Sequence, residues 1–348
     1  MAPIFFTGFP GFLGIELVRR ILARASDDVI CLVQPKFAAL ARARAAEIDP
    51  SRIAIVEGDI TRPRCGVEAP RDVAEVYHLA AIYDLGVPRE LAMRVNVEGT
   101  KNVLDLAASL PSLRRVHYVS TCYVSGRYDG TFLETDLEKS QAFNNHYEET
   151  KYLAEVEVQA RMREGLPATI YRPAVVVGDS RTGETQKFDG PYFIVQWILR
   201  QPHVAVLPVI GRPSRYRFNV VPRDFIIEAI DRLGAMTESA GQVYQLADPD
   251  PLTIDETIDA IGEAAGRSIV RVPIPRAIAK RALSLGPIYR LMRVPAASVD
   301  YFDHPTSYDT THARRDLGDL AVPLLRDYLP RLVEFARAHP EIGSAAMA

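Results

Sequence analysis

Tyr147 and Lys151 stand four residues apart in a stretch, 146–157, that is typical of a helix because it lacks glycine and proline and carries acidic residues in its first turn. This spacing places both side chains on one helix face, with Cβ atoms about 5–6 Å apart. A phenol with a pKa of about 10 is a weak proton donor at neutral pH, but a neighbouring ammonium lowers that pKa. The pair therefore predicts a general acid or base, Tyr147, tuned by Lys151. A solvated helix face is the alternative.

A glycine-rich turn follows the first apolar run of the chain. Residues 3–6 are typical of a strand, residues 15–25 have the apolar spacing of a helix, and between them stand Thr7-Gly8-Phe9-Pro10-Gly11-Phe12-Leu13-Gly14. Strand, glycine turn and helix in this order are the context of a dinucleotide-binding fingerprint, whose glycines permit a tight turn, close approach of a pyrophosphate and close helix packing. Backbone N–H groups and the helix dipole would hold the anion. An ordinary strand-to-helix turn is the alternative.

Alternating strands and helices predict the fold class. Further strands are predicted at 29–33, 52–56, 73–79, 116–119, 168–171 and 242–246, with helices at 91–109, 146–157 and 224–233 among those between them. This alternation predicts an α/β fold with a doubly wound parallel sheet. In such sheets the ligand lies at the carboxyl ends of the strands, where Ala80 and Ala81 would let the backbone sit against a cofactor.

The end of the second strand bears on the choice of cofactor. NAD-preferring sites usually place an acidic residue there, whereas a cation suits the 2′-phosphate of NADP. The chain has Gln34-Pro35-Lys36 at this point, without an acid and with one lysine. We therefore expect NADPH rather than NADH, with Gln34 and Lys36 near the adenosine ribose. A solvated loop residue is the alternative for Lys36.

The composition excludes several classes of protein. The chain has 348 residues, of which 48% are hydrophobic and 24% charged, and its net charge is −3, so it lacks the basic footprint of nucleic-acid binding. Three cysteines without a Cys-x-x-Cys spacing suggest neither a disulfide framework nor a metal site, and a reducing cytoplasm is expected. No apolar run reaches the roughly 18–20 residues of a transmembrane helix.

The pattern changes after Gly178. Residues 179–190 are polar and predict a loop over the site, and a helix at 332–338 follows a short helical turn between Pro323 and Pro330. We expect a Rossmann domain of residues 1–180 plus about 217–248. A smaller, mostly helical substrate domain would comprise about 181–216 plus 249–345. Segment 276–293 is apolar enough to cover a lipid-like chain, and its cations leave peripheral membrane contact as an alternative.

The chain resembles the extended short-chain dehydrogenase/reductases. Motifs of that family occur in the family's order: Thr7-Gly8-x-x-Gly11-x-x-Gly14, Asp59-Ile60, His78-Leu79-Ala80-Ala81, Asn96-Val97-x-Gly99-Thr100, Ser120-Thr121, Tyr147-x-x-x-Lys151 and Arg172-Pro173. Within the family the chain is most similar to the thioester reductase branch, which comprises fatty acyl-CoA reductases and the terminal domains of carboxylic acid reductases. That similarity is carried by residues 11–14, 118–124, 178–184, 189–192 and 300–310.

The resemblance implies a role for each matching residue. Thr121 and Tyr147 would hydrogen-bond the substrate carbonyl, Tyr147 would supply the proton, and Lys151 would hold the nicotinamide ribose. The implied cofactor contacts are Thr7, Gly8, Phe9, Pro10, Gly11, Phe12, Leu13, Gly14, Gln34, Lys36, Asp59, Ile60, Ala80, Ala81, Asn96, Tyr147, Lys151, Pro173, Val175 and Val176. Thr121 is preferred to Ser120 because its spacing to Val124 and Gly126 matches the family. His78 and Cys122 are expected to be packing residues.

Three functional hypotheses remain. The first is an NADPH-dependent reductase of an acyl thioester, bound to coenzyme A or a carrier protein, or of the derived aldehyde. The second is an extended-family dehydrogenase or epimerase acting on a hydroxysteroid, a 3-oxoacyl compound or a nucleotide sugar. The third is a cofactor-binding regulator without turnover, against which the complete set Thr121, Tyr147 and Lys151 argues. Arginines 212, 215, 217 and 223 could bind substrate phosphates or simply be solvated.

Overall fold

The structure is a computed structural model that describes residues 2–275 except 69 and 85, residues 277, 278, 281, 300 and 301, and residues 303–343. Most of segment 276–293, which was predicted to cover a lipid-like chain, lies outside the described residues.

The strands are, in chain order, β1 (Ile4–Thr7), β2 (Val29–Val33), β3 (Ile53–Glu57), β4 (Glu75–His78), β5 (Arg115–Val119), β6 (Gly130–Phe132), β7 (Ala168–Pro173), β8 (Val175–Val177), β9 (Val204–Ile210), β10 (Val220–Pro222), β11 (Val243–Leu246), β12 (Ser268–Ile274) and β13 (Thr306–Tyr308). The α-helices are α1 (Phe12–Arg24), α2 (Ala38–Ile48), α3 (Arg89–Ala92), α4 (Gly99–Ala108), α5 (His146–Arg163), α6 (Tyr192–Leu199), α7 (Arg223–Ala235), α8 (Ile254–Ala265), α9 (Thr311–Leu317) and α10 (Leu325–Ala338).

Seven parallel strands form the central sheet in the order β11-β7-β5-β4-β1-β2-β3. The chain builds outward from β1 through β2 to β3 and then returns to place β4 on the other side of β1. Strand order therefore reverses between β1 and β4, which is where doubly wound sheets bind a ligand. The predicted α/β fold with a doubly wound parallel sheet is confirmed.

Alternating strand residues send apolar side chains to both faces of this sheet. Phe5, Val76 and Tyr118 belong to the cluster that packs against α4 and α5. Their chain neighbours Phe6 and Tyr77 belong to the opposite cluster, which packs against α1 and α7. Burial on both faces explains why the strands read as nearly continuous apolar runs rather than alternating ones.

A third apolar cluster lies in the later part of the chain. Helices α6, α8 and α10 pack together there with the parallel pair β9–β12, and the cluster includes Phe188, Ile198, Ile258, Leu329 and Leu332. A helical C-terminal part is thus present, while the predicted domain boundaries remain predictions.

The prediction of a break at Pro330 is wrong, because α10 runs continuously from Leu325 to Ala338 with the proline inside it. A proline inside a helix costs about 3 kcal/mol. The helix also buries a stripe of side chains that includes Leu329, Leu332 and Val333 against α6 and α8, and burial of each is worth about 1.5–3 kcal/mol. Packing therefore outweighs the local preference.

Candidate active site

The glycine turn forms a cradle with no room for side chains. Gly8 has a φ of +100°, and a Cβ atom there would lie 2.8 Å from Leu79 Cβ. A Cβ atom on Gly14 would lie 2.4 Å from the Gly8 carbonyl oxygen, so α1 approaches the turn as closely as backbone allows. Gly11 is the N-cap of α1 and provides no side-chain cap, which leaves the first N–H groups of the helix available to an anion. The turn fits the pyrophosphate of a dinucleotide.

The other predicted turn residues surround this cradle. Phe9 and Pro10 are buried, whereas Phe12 and Leu13 are partly exposed at the start of α1. The guanidinium of Arg223, which is itself buried, lies 5.1 Å from the centre of the Phe12 ring. Arg223 is therefore placed beside the cofactor turn.

Gln34 and Asp59 meet at the ends of β2 and β3. The Gln34 amide donates a hydrogen bond of 3.1 Å to Asp59 Oδ2, and the Thr61 N–H donates to Asp59 Oδ1 at 2.8 Å. Lys36 lies in the turn directly after β2, exposed, with its ammonium 4.8 Å from the centre of the Phe37 ring. The adenosine end of the crevice thus has a hydrogen-bonded carboxylate and one exposed cation among these residues.

Ile60 and Ala80 complete the floor of the crevice. Ile60 is buried beneath α4, where Gly99 has no space for a Cβ atom, which would lie 2.8 Å from Ile60 Cδ1. Ala80 is half-buried after β4, and its N–H donates to the Thr7 hydroxyl at 3.3 Å. Ala81, the next residue, is exposed.

His78 forms hydrogen bonds in addition to packing, which corrects the prediction that it is a packing residue. Its Nδ1 lies 2.8 Å from the Thr7 hydroxyl and its Nε2 lies 3.0 Å from the Thr100 hydroxyl. Burial lowers the pKa of His78 to about 3, so the ring is neutral. Because Thr100 already donates its proton to the Asn96 carbonyl at 2.6 Å, Nε2 must carry the histidine proton. The ring therefore joins the glycine turn to α4.

Asn96 is fully engaged within the protein. Its side-chain oxygen accepts from the Ile82 N–H at 2.8 Å, and its amide donates to the Thr150 hydroxyl at 3.0 Å. The predicted cofactor contact therefore connects the chain after β4 with α5. This geometry agrees with an indirect role, in which Asn96 positions the chain after β4 and α5.

The catalytic candidates stand at the start of α5. Asn145 caps this helix by accepting from the Glu148 N–H at 3.0 Å, and the buried Glu148 carboxylate accepts from the Asn144 N–H at 2.9 Å. Tyr147 and Lys151 follow on the buried side, with 8% and 4% of their surface exposed. The helix thus directs both groups towards the sheet edge rather than to solvent.

Tyr147 is surrounded by hydroxyl and aromatic groups. The Thr121 side chain lies close to the Tyr147 phenol, and the Tyr83 ring lies edge-on to the Tyr147 ring with centroids 4.9 Å apart. Burial raises the pKa of the Tyr147 phenol above its ordinary value, and the neighbouring Thr121 side chain acts against this. The prediction of a lowered pKa for Tyr147 is wrong, because burial raises it.

Lys151 makes its hydrogen bonds elsewhere. Its ammonium donates to the Tyr118 hydroxyl at 3.0 Å and to the Val119 carbonyl at 2.9 Å. Burial lowers the pKa of Lys151 to about 7, although the nearby Glu155 carboxylate acts in the opposite direction. The amine therefore titrates close to neutral pH.

Thr121, rather than Ser120, is the hydroxyl beside Tyr147. Ser120 donates its hydroxyl proton to Glu155 Oε2 at 2.5 Å and so serves a buried ion pair. Cys122 is buried with its thiol 3.0 Å from the Arg172 carbonyl, and burial raises the pKa of that thiol. It is a packing residue, as expected.

Pro173, Val175 and Val176 follow β7 at the same edge. The Thr121 hydroxyl lies 3.4 Å from the Pro173 carbonyl, and Val175 begins β8, which pairs with β10. Val175 and Val176 are only partly buried. Apart from Asn96, which lies in the helical segment 93–98, the predicted cofactor and catalytic residues are assembled along the carboxyl edge of one sheet or on the two helices, α1 and α5, that begin there.

The polar loop at 179–190 reaches this edge. Its Lys187 forms an ion pair of 2.6 Å with Asp189, and its ammonium lies 4.0 Å from the centre of the Tyr83 ring. Because Tyr83 contacts Tyr147, the loop lies close to the catalytic phenol. Tyr301 approaches from the C-terminal part of the chain and accepts from the Asn145 amide at 3.1 Å.

The four arginines considered as phosphate ligands do not act as one group. Arg223 is buried beside Phe12, while Arg217 pairs with Asp250 at 2.8 Å. Arg212 and Arg215 are exposed. Whether each of them binds a substrate phosphate or is solvated remains a prediction.

Three residues beside Tyr147 and Lys151 were not predicted, and two of them have a signal in strand or cap geometry. Tyr118 shares the face of β5 that packs against α5, which period-2 alternation from Val116 would indicate. Asn145 precedes the helix with Glu148 three residues later, an N-cap pattern. Tyr83, in the loop after β4, has no comparable signal in its neighbours.

Comparison with known proteins decides the family. Residues 6–230 match the family model described as Male sterility protein, which covers NAD-binding domains. The chain belongs to this family. The expected membership of the extended short-chain dehydrogenase/reductases is confirmed, and with it an NAD(P)-dependent oxidoreductase fold.

Several members of this superfamily are similar over most of the chain. One of the subunits of linear gramicidin synthase from Brevibacillus parabrevis is 30% identical over 287 residues, which are 76% of this chain and 6% of that protein. Fatty acyl-CoA reductase wat of Drosophila melanogaster is 25% identical over 65% of this chain and 53% of its own. The terminal R domain from the myxalamid PKS-NRPS pathway has the same fold, with a TM-score of 0.83, 24% identity and coverage of 98% and 92% of the two chains.

The chain therefore spans only part of the two curated relatives. Within the described residues, no helix combines the length and the apolar character that crossing a bilayer requires. The same part of the chain has no group of three or more His, Cys, Asp or Glu side chains that could hold a metal ion.

Proposed function

We propose that the protein is an NADPH-dependent reductase of an acyl thioester, or of the derived aldehyde, with Tyr147 as proton donor. The observation that carries this proposal is the closeness of the Thr121 side chain to the buried Tyr147 phenol at the carboxyl edge of the sheet. The glycine cradle opens on that same edge, and Lys151 is buried behind the pair. Two hydroxyl donors are what a carbonyl oxygen needs as it gains negative charge.

The two hydroxyls have successive tasks. Thr121 and Tyr147 donate hydrogen bonds to the substrate carbonyl oxygen and stabilise the charge that develops on it. Tyr147 then transfers its proton to that oxygen. Lys151 orients the cofactor through the ribose, and the nicotinamide supplies the hydride. From a thioester the product is a hemithioacetal, which loses the thiol to give an aldehyde; a second round gives an alcohol.

The thioester class is supported by the relatives. One is a fatty acyl-CoA reductase and another belongs to a peptide synthetase, while the shared fold is that of a terminal R domain. An acyl group on coenzyme A or on a carrier protein is a thioester that an enzyme of this geometry reduces without a covalent intermediate. The buried Cys122, whose pKa is raised, agrees with this, because the mechanism needs no thiolate.

The NADPH preference rests on the end of β2. Gln34 is neutral, and its amide donates a hydrogen bond to Asp59 at the end of β3. Lys36 lies two residues further on and is exposed, which leaves its ammonium available to the phosphate.

A substrate panel tests the proposal. The purified protein is incubated with NADPH and, separately, acyl-CoAs, acyl-pantetheine thioesters and aldehydes, and in a second arm with NADP⁺ and hydroxysteroids or UDP-sugars. Absorbance of the reduced nicotinamide is followed, and the sugars are analysed for epimers. We expect oxidation of NADPH with a thioester or an aldehyde and the corresponding aldehyde or alcohol as product. Turnover confined to hydroxysteroids or UDP-sugars would overturn the proposal and favour the dehydrogenase or epimerase alternative.

A further inference from the structure

A buried phenol holds the ammonium of the catalytic lysine. We propose that Tyr118 is a positioning residue for Lys151: its hydroxyl oxygen holds the ammonium so that one N–H remains directed to the cofactor ribose. This inference rests on the proposed role of Lys151 as the ribose ligand, but its test does not need turnover.

Protein atoms of β5 surround the Lys151 ammonium on one side. Nζ lies 3.0 Å from the Tyr118 hydroxyl, 2.9 Å from the Val119 carbonyl and 4.5 Å from the centre of the Tyr118 ring. Tyr118 is 1% exposed and Lys151 is 4% exposed, so water does not compete freely for these contacts. Two neighbouring residues of β5 thus grip one ammonium.

The number of N–H donors on the Lys151 ammonium shows which of them is left for a ligand. An ammonium has three N–H donors and no acceptor. Tyr118 and Val119 take two of them, and the third is left for a ligand at the sheet edge. Without the Tyr118 hydroxyl, the side chain of Lys151 would have one protein anchor instead of two, and the free N–H would lose its fixed direction.

The Tyr118 hydroxyl has a second polar neighbour. The Thr100 side chain lies beside it and is itself bonded to His78 and to the Asn96 carbonyl. The hydroxyl can therefore donate to Thr100 while its oxygen accepts from Lys151. Through His78 the same network reaches Thr7 at the start of the glycine turn, so both ends of the cofactor crevice share one set of buried bonds.

Among the described residues, charged and titratable groups approach Lys151 from three elements. On its own helix this is Glu155, which is paired with Arg172 of β7. From β5 the Tyr118 hydroxyl faces it, and from β4 the neutral His78. Since burial already lowers the pKa of Lys151 to about 7, removal of an oxygen that accepts from the ammonium should lower it further.

The variant Tyr118→Phe keeps the ring and removes the oxygen. Tyr77→Phe is the matched control: Tyr77 is a fully buried tyrosine of the neighbouring strand, its hydroxyl has no hydrogen-bond partner among the described residues, and it belongs to the opposite face of the sheet. The affinity for NADPH is measured by nucleotide fluorescence from about pH 6 to about pH 9, the range in which a group with a pKa near neutrality titrates. Five proteins are compared: the wild type, Tyr118→Phe, Tyr77→Phe, Lys151→Met and the double variant Tyr118→Phe/Lys151→Met.

We expect Tyr118→Phe to weaken NADPH binding about 3–10-fold above neutral pH and to move the alkaline loss of affinity to lower pH by roughly 0.5–1 unit. Tyr77→Phe should match the wild type. In the Lys151→Met background Tyr118→Phe should have no further effect, because it acts through the ammonium. An unchanged pH midpoint, or an equal loss in the Lys151→Met background, would overturn the inference. If the wild type binds NADPH but reduces no thioester or aldehyde, the proposed function fails and this inference is judged separately.

Discussion

Glu155 of α5 and Arg172 of β7 form an ion pair of 2.6 Å in which neither side chain is exposed. Arg172 also donates to the Asp136 carbonyl at 2.7 Å, and Ser120 donates to the Glu155 carboxylate. Helix α5, which carries Tyr147 and Lys151, is thereby attached to β7 and to the residue that follows β5, at the edge where the reaction is proposed to occur. A buried pair of this kind fixes orientation more than it adds stability.

Removal of Arg172 alone should destabilise the protein far more than removal of Arg172 and Glu155 together. Arg172→Met leaves an unpaired buried carboxylate, and we expect the free energy of unfolding to fall by about 3–5 kcal/mol. The double variant Arg172→Met/Glu155→Leu should recover much of that loss, since no charge remains uncompensated. Urea unfolding of the three proteins measures both quantities. A single variant within about 1 kcal/mol of wild type would show that the pair is not the anchor described above.

Thr121 and Ser120 should separate into a catalytic and a structural hydroxyl. Thr121→Ala removes one of the two donors to the substrate oxygen, so turnover should fall about 10²–10³-fold while NADPH binding is retained. Thr121→Ser should restore most of the activity. Ser120→Ala removes a donor to Glu155 and should lower stability by about 1–3 kcal/mol with a smaller effect on turnover. Steady-state kinetics and unfolding of the three variants measure these effects. A larger loss of turnover in Ser120→Ala than in Thr121→Ala would show that Ser120, not Thr121, is the catalytic hydroxyl.

Lys151 should destabilise the protein without bound cofactor at low pH. The pKa of its amine is about 7 when folded against 10.5 for the free side chain. Below pH 7 both states carry the proton and the buried charge lowers stability. As the pH rises from 7 towards 10.5 the folded state loses its proton first, and this contribution to stability increases.

Lys151→Met should therefore raise the free energy of unfolding by about 1–3 kcal/mol below neutral pH, with a gain that shrinks as the pH increases. Thermal unfolding across this pH range measures the difference. A gain that is constant with pH, or a loss at low pH, would show that the amine is not destabilised by burial.

Lys36 should determine cofactor preference. Its removal in Lys36→Ala takes away the exposed cation after β2, so the affinity for NADPH should fall about 10-fold while that for NADH is unchanged. Arg42→Ala, which removes an exposed cation that pairs with Glu57, is a matched control. Isothermal titration with both nucleotides measures the ratio. Equal losses for NADPH and NADH would assign the 2′-phosphate to another residue.

Much of this site could be predicted because its parts are local. The glycine turn, the spacing of Tyr147 and Lys151, and the order of strands and helices are properties of short segments, and the sheet topology brings them together. Gln34 and Lys36 could be located for the same reason, since each directly follows a strand.

Contacts between distant segments could not be predicted from one sequence. The Tyr118 hydroxyl contacts Lys151 across 33 positions, and Arg172 contacts Glu155 across 17, so nothing in their neighbours signals either pair. The pKa of Tyr147 was predicted in the wrong direction because burial, a tertiary property, outweighs the neighbour on the helix. The break predicted at Pro330 was wrong for a related reason, because burial of the apolar side chains of α10 outweighs the local preference of proline to end a helix.

The strand β9 was also not predicted. Its sequence, Val204–Ile210, is apolar but contains Pro208, which usually demotes a run to an edge strand. Among the described residues the strand pairs with β12 alone, so its other side is an edge, in agreement with that rule.

Tyr147→Phe tests the central claim most directly, because it removes only the hydroxyl that is proposed to donate the proton. With a thioester or aldehyde that the wild type reduces, we predict that turnover falls by about 10²–10⁴-fold while NADPH binding and thermal stability stay close to those of wild type. The control Tyr77→Phe, on the opposite face of the sheet, should keep full activity. Turnover of Tyr147→Phe within about tenfold of wild type would contradict the account, since general acid catalysis would then not depend on this phenol.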